Sequence, residues 1–136
     1  MEDWAERFGS YLNSGVYKVK QATGSDIKTA AQVSGLEFAL VDLSGVTGKI
    51  AFLKKTAAAL GFPAYFGMNW DAFSECLTDM AWRPATGYVI LFDNYGPFAR
   101  KAPADARVAR RIFDSSAQYW EQRKVPFFIV LIEKGL

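Results

Sequence analysis

The chain has 136 residues, enough for one domain with a substantial core, and its 51% hydrophobic and 22% charged residues exclude a disordered chain. It has no histidine, which excludes Ser–His and Cys–His nucleophiles and removes the most common metal ligand. The formal net charge is +2, but residues 56–82 contain three acidic and no basic side chains, whereas residues 100–124 contain seven basic and three acidic ones.

The first 35 residues have the pattern of a helix, a strand and a second helix. An apolar residue at every fourth position predicts a short helix over residues 2–13. Residues 16–19 alternate like a short edge strand, and Ser25 is a suitable N-cap for a helix that ends near residue 35. The predicted apolar face of the first helix consists of Trp4, Phe8 and Leu12.

From residue 36 onward, predicted strands and helices alternate. The strands cover residues 36–43, 87–92 and 127–132, the helices cover residues 47–60, 70–82 and 104–124, and residues 93–97 form a loop. The side chains predicted to point inward are Ile50, Leu53, Ala57 and Leu60 in the first of these helices and Val108, Ile112, Ser115, Ser116 and Tyr119 in the last.

Strands that are separated by helices favour a parallel sheet. The predicted fold class is therefore α/β, with a small parallel sheet of three core strands packed with helices, to which the N-terminal segment can add a fourth strand. No segment has the composition of a linker, so residues 1–136 are predicted to form a single domain. In it, residues 1–35 are an N-terminal extension and residues 36–136 form the core.

The helix predicted over residues 70–82 contains every charged residue that lies between Lys55 and Arg83. Asp71, Glu75 and Asp79 are four residues apart, which stacks three carboxylates on one helix face. Like charges at this spacing oppose helix formation by about 0.2–0.5 kcal/mol per pair, so the pattern suggests a surface that meets something positive. The apolar seam of this helix consists of Trp70, Phe73, Leu77 and Met80 and lies about half a turn away from the carboxylates. The carboxylates are therefore predicted to face solvent or a partner.

A cytoplasmic location without a membrane segment is predicted from three features. The single cysteine, Cys76, cannot form an internal disulfide. No apolar run reaches the roughly 18–20 residues that a membrane helix needs. The N-terminal sequence Met-Glu-Asp-Trp-Ala-Glu is acidic and lacks the apolar core of a secretory signal.

Residues 62–73 have the sequence Phe-Pro-Ala-Tyr-Phe-Gly-Met-Asn-Trp-Asp-Ala-Phe. This segment resembles a motif of the form apolar-Pro-x-Tyr-aromatic-Gly-x-Asn-x-Asp-Ala, which is that of the barstar family of bacterial ribonuclease inhibitors. The order of elements after residue 36 is similar as well. The resemblance implies a three-stranded parallel sheet packed with helices. It also implies a protein that plugs the active site of a secreted bacterial ribonuclease while that enzyme is still in the cytoplasm.

Residues 63–82, here called the acidic loop-helix, would enter the basic cleft of the nuclease, with helix carboxylates in the place of RNA phosphates. By the same resemblance the expected partner is a basic bacterial ribonuclease. The chain is predicted to have no catalytic residue, no cofactor and no metal ion, and to be a monomer when free. The residues expected to contact the partner are Tyr65, Phe66, Gly67, Asn69, Asp71, Ser74, Glu75, Thr78 and Asp79.

The resemblance assigns roles to five of these residues. Tyr65 is the loop aromatic residue that stacks on the nuclease. Gly67 shapes the loop, where we expect a positive φ, and Asn69 caps the helix. Asp71 matches the first inhibitory carboxylate, and Glu75 stands where barstar has its central aspartate.

The chain departs from barstar at three positions. Glu75 is one methylene longer than the aspartate that it replaces. Ser74 stands where barstar has a tryptophan, and Asp79 has no acidic counterpart in barstar. These departures bear on the identity of the target nuclease more than on the mode of binding.

Other functions remain open at this stage. An immunity protein against a different toxin nuclease would use the same surface on another partner. An RNA-binding module would use the basic residues 100–124, although three acids dilute their charge. An acid–base pair of Glu75 and Asp79 is disfavoured, because the two carboxylates lie side by side on one convex face. The chain is therefore not expected to be an enzyme.

Overall fold

The computed structural model describes residues 3–63 and 66–134. In this part of the chain, four strands form one parallel sheet in the order β1-β4-β3-β2, with six α-helices around it. The strands are β1 (Gly15–Val19), β2 (Glu37–Asp42), β3 (Tyr88–Asp93) and β4 (Phe127–Ile132). The helices are α1 (Trp4–Phe8), α2 (Gly24–Val33), α3 (Lys49–Leu60), α4 (Trp70–Leu77), α5 (Tyr95–Lys101) and α6 (Pro103–Gln122). The predicted α/β fold class is confirmed.

The two central strands are continuous apolar runs. All six residues of β4 are buried, as are the first five of β3, which is typical of parallel strands covered on both faces. The register pairs Tyr88 with Glu37 on one side and with Phe127 on the other. The core strands lie where the sequence predicts them, to within one residue at each end.

Helices cover both faces of the sheet. The first face packs against α3, α4, α5 and α6, and Phe52 of α3 lies at its centre, with ring centroids 4.9 Å from Phe98 and 5.7 Å from Phe92. The second face packs against α1 and α2, and its strand residues are Val89, Leu91, Phe128, Val130 and Ile132. The acidic loop-helix therefore belongs to the first face only.

The N-terminal extension contributes directly to the sheet and to its second face. Strand β1 pairs in parallel with β4, with Val16 opposite Ile129, so the predicted fourth strand is confirmed. Helices α1 and α2 bury Phe8 and Ile27 against the second face. As a result, β4 is a central strand, and β1 and β2 are the two edge strands.

Two predictions for the extension are wrong in detail. Within the described residues, α1 ends at Phe8, and a separate 3-10 turn begins after Ser10, whose side chain accepts a hydrogen bond from the amide of Leu12. This break turns Leu12 away from the core, and it is 67% exposed. The N-cap of α2 is Thr23 rather than Ser25, which is already in the first helical turn.

The inward faces of two helices are shifted from the predicted ones. In α3, Ile50 is half exposed and Ala57 only half-buried, because Phe52 and Thr56 fill the core instead. In α6, Val108, Ile112 and Tyr119 are half-buried and Ser115 is exposed. The buried residues of α6 are Ala106, Ala109, Phe113, Ser116 and Ala117. Alanines on this face bring the helix close enough for Phe113 to reach Phe92, with ring centroids 5.0 Å apart.

The segment predicted as a loop at residues 93–97 contains the start of a helix. Helix α5 begins at Tyr95 and buries Tyr95 and Phe98 under α6. Asn94 precedes it with a left-handed φ of 56°, which turns the chain from β3 into the helix. In residues 3–63 and 66–134, no helix has the length and apolar character that crossing a membrane requires.

Candidate functional site

The acidic surface, defined here as the carboxylates of Asp71, Glu75 and Asp79, faces outward. All three residues are exposed. The ion pairs among the described residues join other groups, such as Arg83 with Glu37, and none involves the acidic surface. The three negative charges are therefore not neutralised by a cation from the described part of the chain.

Helix α4 is held at its start by a side-chain cap. The Oδ1 atom of Asn69 accepts a hydrogen bond from the amide of Ala72 at 2.8 Å, which confirms the predicted N-cap. The Nδ2 atom of Asn69 donates to the carbonyl of Gly67 at 3.2 Å and ties the loop to the helix. Asp71 lies in the first turn, where the positive end of the helix dipole stabilises its charge.

The role predicted for the backbone of Gly67 is wrong. The left-handed residue in this loop is Met68, with φ of 54°, and Gly67 is not among the residues with positive φ. A Cβ atom on Gly67 would lie 3.0 Å from Nδ2 of Asn69. Glycine is therefore favoured here because the capping side chain approaches the backbone closely.

Loss of the Asn69 cap is expected to destabilise the fold modestly. Asn69→Ala leaves the amide of Ala72 without its side-chain acceptor, which costs about 1 kcal/mol of unfolding free energy. Asn69→Ser retains a side-chain oxygen and should stay within about 0.5 kcal/mol of the parent. Urea unfolding followed by circular dichroism measures both. Equal losses in the two variants would show that the cap is not the cause.

Helix α4 ends at Leu77 rather than at residue 82, so the predicted C-terminal boundary is wrong. The Thr78 hydroxyl donates to the carbonyl of Ser74 at 3.0 Å and so satisfies a carbonyl of the last turn. Two residues later Met80 has φ of 54° and is 1% exposed. The burial of this side chain in the core accounts for the departure of the chain from the helix axis.

Asp79 consequently lies in the turn after α4, and the predicted stack of three carboxylates on one helix is incorrect for this residue. Glu75 and Asp79 nevertheless remain neighbours. Burial raises the pKa of the Cys76 thiol, and the charges of Asp79 and Glu75 raise it further. The pKa shift argues against a nucleophilic Cys76, because a reactive cysteine requires a stabilised thiolate.

The aromatic residues of the loop pack mainly inward. Phe66 is half-buried against the first-face core, with its ring centroid 5.0 Å from that of Phe62. Trp82 donates from Nε1 to the carbonyl of Leu60 at 3.2 Å, which anchors the segment after α4 to the end of α3. Tyr65 lies outside the described residues, so its stacking role stays a prediction.

The Thr78 hydroxyl is used within the helix end: besides its bond to the carbonyl of Ser74, Oγ1 lies 3.3 Å from the carbonyl of Glu75. Both Ser74 and Thr78 are half-buried. Their contact with a partner stays a prediction. Sequence reasoning missed Cys76 as part of this surface: it lines one small cavity together with Phe66, Ala72, Glu75 and Asp79.

The basic region at residues 100–124 does not present all of its charge to solvent. Arg110 pairs with Asp114 at 3.3 Å, and the Arg123 guanidinium lies 3.5 Å from the centroid of the Tyr119 ring. These internal contacts weaken the case for RNA binding by α6. Among the described residues, no group of three or more His, Cys, Asp or Glu side chains could hold a metal ion.

The family model described as Barstar (barnase inhibitor) matches residues 36–132. The match includes the acidic loop-helix and strands β2, β3 and β4, and it begins after the N-terminal extension. No curated protein sequence matches the chain.

Among solved structures, the Aeropyrum pernix ORC2 protein, determined in ADPNP–ADP complexes, is similar with a TM-score of 0.56 and 12% identity. The similarity covers 91% of this chain but only 38% of that protein. Because the identity is so low, this likeness shows the fold alone.

Proposed function

The chain belongs to the barstar family, and from this premise we propose that it inhibits a bacterial ribonuclease by placing the acidic loop-helix in the basic active-site cleft. The observation that carries the proposal is the exposed acidic surface, which lies in a stretch without any basic residue between Lys55 and Arg83. Family members are inhibitors and not enzymes, and their partner is a protein.

Charge complementarity supports this mode of binding. A ribonuclease cleft binds phosphates with arginine and lysine, and carboxylates accept short, charge-assisted and often bidentate hydrogen bonds from the same groups. Side-chain carboxylates offer the charge of the RNA backbone without a phosphodiester bond that the enzyme can cleave. Opposite fields also steer the two proteins together and raise the association rate.

The rigidity of α4 also supports the proposed mode of binding. The Asn69 cap holds the start of the helix, and Phe73 and Leu77 anchor it to the core with 0% exposure. A surface that is already ordered loses less conformational entropy on binding, so more of the contact energy appears as affinity. In this proposal the free inhibitor is a monomer and acts in the cytoplasm, before the nuclease is secreted.

The proposal is tested by calorimetric titration against a panel of basic bacterial ribonucleases, with RNA cleavage assayed in parallel. We expect tight binding to at least one enzyme, with loss of its activity at one equivalent of inhibitor. Raising the salt from about 50 to 500 mM should slow association by about tenfold or more, since screening weakens the steering field. An association rate indifferent to salt, or no inhibition of any enzyme in the panel, would refute the proposal.

A second target class is favoured by the differences from barstar at Ser74, Glu75 and Asp79. These positions lie on the proposed contact surface, so the partner can be a toxin nuclease whose cleft differs from that of a secreted ribonuclease. Adding toxin nucleases to the same panel separates the two targets: inhibition of a toxin nuclease alone would identify an immunity protein.

A further inference from the structure

Strand β2 leaves one edge of the sheet without a neighbouring strand. In the described parts of the chain it pairs with β3 only, and the sheet ends there. The amide of Glu37 donates to the carbonyl of Gly87 at 2.9 Å, so Glu37 and every second residue after it turn their backbone groups towards β3. The amides and carbonyls of Phe38, Leu40 and Asp42 therefore point away from the sheet.

The backbone at this edge has free hydrogen-bonding groups. Arg83 donates from Nη2 to the carbonyl of Phe38 at 3.4 Å, which agrees with the outward direction of that carbonyl. No hydrogen bond from elsewhere in residues 3–63 and 66–134 reaches the amide or the carbonyl of Leu40, which is 48% exposed. Strand β2 also lacks the proline, lysine or bulge that often protects an edge, since its six residues pair one to one with β3. The edge is therefore able to accept another strand.

A groove with a volume of about 470 Å³ runs along the free edge of β2. Helix α2 forms one side of the groove, the end of α3 forms the other, and β2 lies between them. An extended chain in such a groove gains affinity from backbone hydrogen bonds to the edge and specificity from the side chains beside it. The described residues that line the groove are Gly24, Ser25, Lys28, Phe38, Ala39, Leu40, Ala59 and Arg83.

The charged side chains that line the groove are positive. Arg83 is paired with Glu37 at 3.1 Å, whereas Lys28 is exposed and forms no ion pair with the described residues. The first turn of α2 adds the positive end of a helix dipole, and no side chain caps it. Asp26, the acid of that turn, lines a separate groove between α1 and α2. A carboxylate of a bound chain is therefore favoured beside Lys28.

We propose that the free edge of β2 binds an extended, acidic segment of a partner protein, which adds a fifth strand to the sheet and places a carboxylate beside Lys28. The added strand pairs with the outward amide and carbonyl of Leu40 and packs an apolar side chain on the exposed Leu40 side chain. The groove contains none of the residues of the acidic surface, so this site is separate from the proposed nuclease contact.

The test uses the full-length ¹⁵N-labelled protein and a capped peptide, Ac-Glu-Val-Thr-Val-Glu-NH2, as the probe. We expect saturable NMR shifts with a dissociation constant of about 1 mM. Hydrogen exchange at the outward amides of Phe38, Leu40 and Asp42 should slow by about tenfold at about 10 mM peptide. The amides of Ala39 and Val41 already face β3 and should change little. Shifts that do not saturate, or unchanged exchange at Leu40, would overturn the inference.

Altered peptides separate backbone pairing from charge attraction. A peptide with lysine in place of both glutamates should bind at least about fivefold more weakly, because like charges meet at Lys28. An added strand donates to β2 with the amides of every second residue only. Of two peptides that are N-methylated either at both valines or at the threonine and the last glutamate, one should therefore lose binding and the other keep it. Equal binding of the lysine peptide, or equal effects of the two methylations, would overturn the inference.

Two matched variants locate the acidic contact. Lys28→Glu reverses the charge beside the groove and should weaken binding of the acidic peptide about fivefold or more. Lys18→Glu makes the same change on β1, at the opposite edge of the sheet, and should alter the affinity by no more than about twofold. Both lysines are exposed, and thermal unfolding checks that each variant is folded. Comparable losses in the two variants would show nonspecific attraction and overturn the inference.

A second pair of variants tests the edge itself. Leu40→Pro removes an outward amide and costs the pairing of β2 with β3 no hydrogen bond, so it should abolish peptide binding in a folded protein. Leu40→Ala keeps that amide and should retain binding within about threefold. Full binding by a folded Leu40→Pro protein would overturn the inference. So would a dimer of the parent chain in analytical ultracentrifugation that Leu40→Pro abolishes, because the edge would then pair two copies of this chain.

Discussion

Replacing Glu75 with lysine is expected to abolish inhibition and to leave the protein folded. Glu75 is exposed on α4, so the new side chain meets water in the free protein and requires no repacking. In the complex it would place a positive charge in a cleft that is already positive. Truncating one member of a buried, hydrogen-bonded charge pair costs about 2–5 kcal/mol, and charge reversal adds repulsion. The affinity should therefore fall by about a thousandfold or more.

Inhibition titrations with the nuclease identified by the panel measure this loss, and circular dichroism measures the fold. Asp26→Lys is the matched control, because it makes the same change of charge at an exposed position on α2, across the sheet from the acidic surface. It should inhibit within about threefold of the parent protein. Unfolding of Glu75→Lys would mean that Glu75 is structural, and full inhibition by this variant would remove Glu75 from the contact surface.

Removing the N-terminal extension is expected to prevent folding into a monomer, even though the family match begins only at residue 36. Helices α1 and α2 cover five strand residues of the second face, which are all 0% exposed. Full burial of such a side chain stabilises a protein by about 1.5–3 kcal/mol, so the five together contribute roughly 7–15 kcal/mol. The whole stability of a domain is about 5–15 kcal/mol.

A chain of residues 36–136 should therefore aggregate or bind the dye ANS, and the loss of β1 also leaves β4 as an unpaired apolar edge. Gel filtration and circular dichroism measure the outcome. Two point variants provide a finer comparison: Phe8→Ala should cost about 3–5 kcal/mol, and Leu12→Ala at most about 0.5 kcal/mol, because only Phe8 is buried. A monomeric, cooperatively folded 36–136 chain would show that the extension is dispensable for folding.

The parts of the fold that are visible in the sequence depend on local chemistry. Strand β4 at Phe127–Ile132 begins and ends at the predicted residues. A run of six apolar residues directly after Pro126 is typical of a buried strand, so its ends can be read from the sequence. The Asn69 cap is likewise local, since donor and acceptor are three residues apart. The outward direction of Asp71 and Glu75 follows from helical periodicity alone.

The end of α4 shows where local reasoning fails. Periodicity continues the helix to residue 82, because Met80 fits the apolar seam. In the structure the helix ends at Leu77, and Met80 is buried in the core. Trp82 donates a hydrogen bond to the carbonyl of Leu60, which is 22 residues away in sequence. A contact between residues so far apart in sequence produces no periodic pattern near residue 78 from which the end of α4 could be predicted.

The cavity beside the acidic surface depends on that same turn. Asp79 and Cys76 meet Phe66 across the loop and the helix, and the spacing of these residues has no known signature. The inward face of α6 was missed for a similar reason: Phe113 rather than Ile112 faces the rings of Phe92 and Phe52.

By itself, the sequence determined the α/β class, the core strands, the capped start of α4 and a segment with negative charge only, because each of these depends on residues within a few positions of one another. The tertiary structure alone decided that β1 lies beside β4, that the extension covers the second face, where α4 ends, and which side chains share a cavity. These features depend on contacts between distant parts of the chain, whose free energies come from packing and cannot be inferred from local patterns.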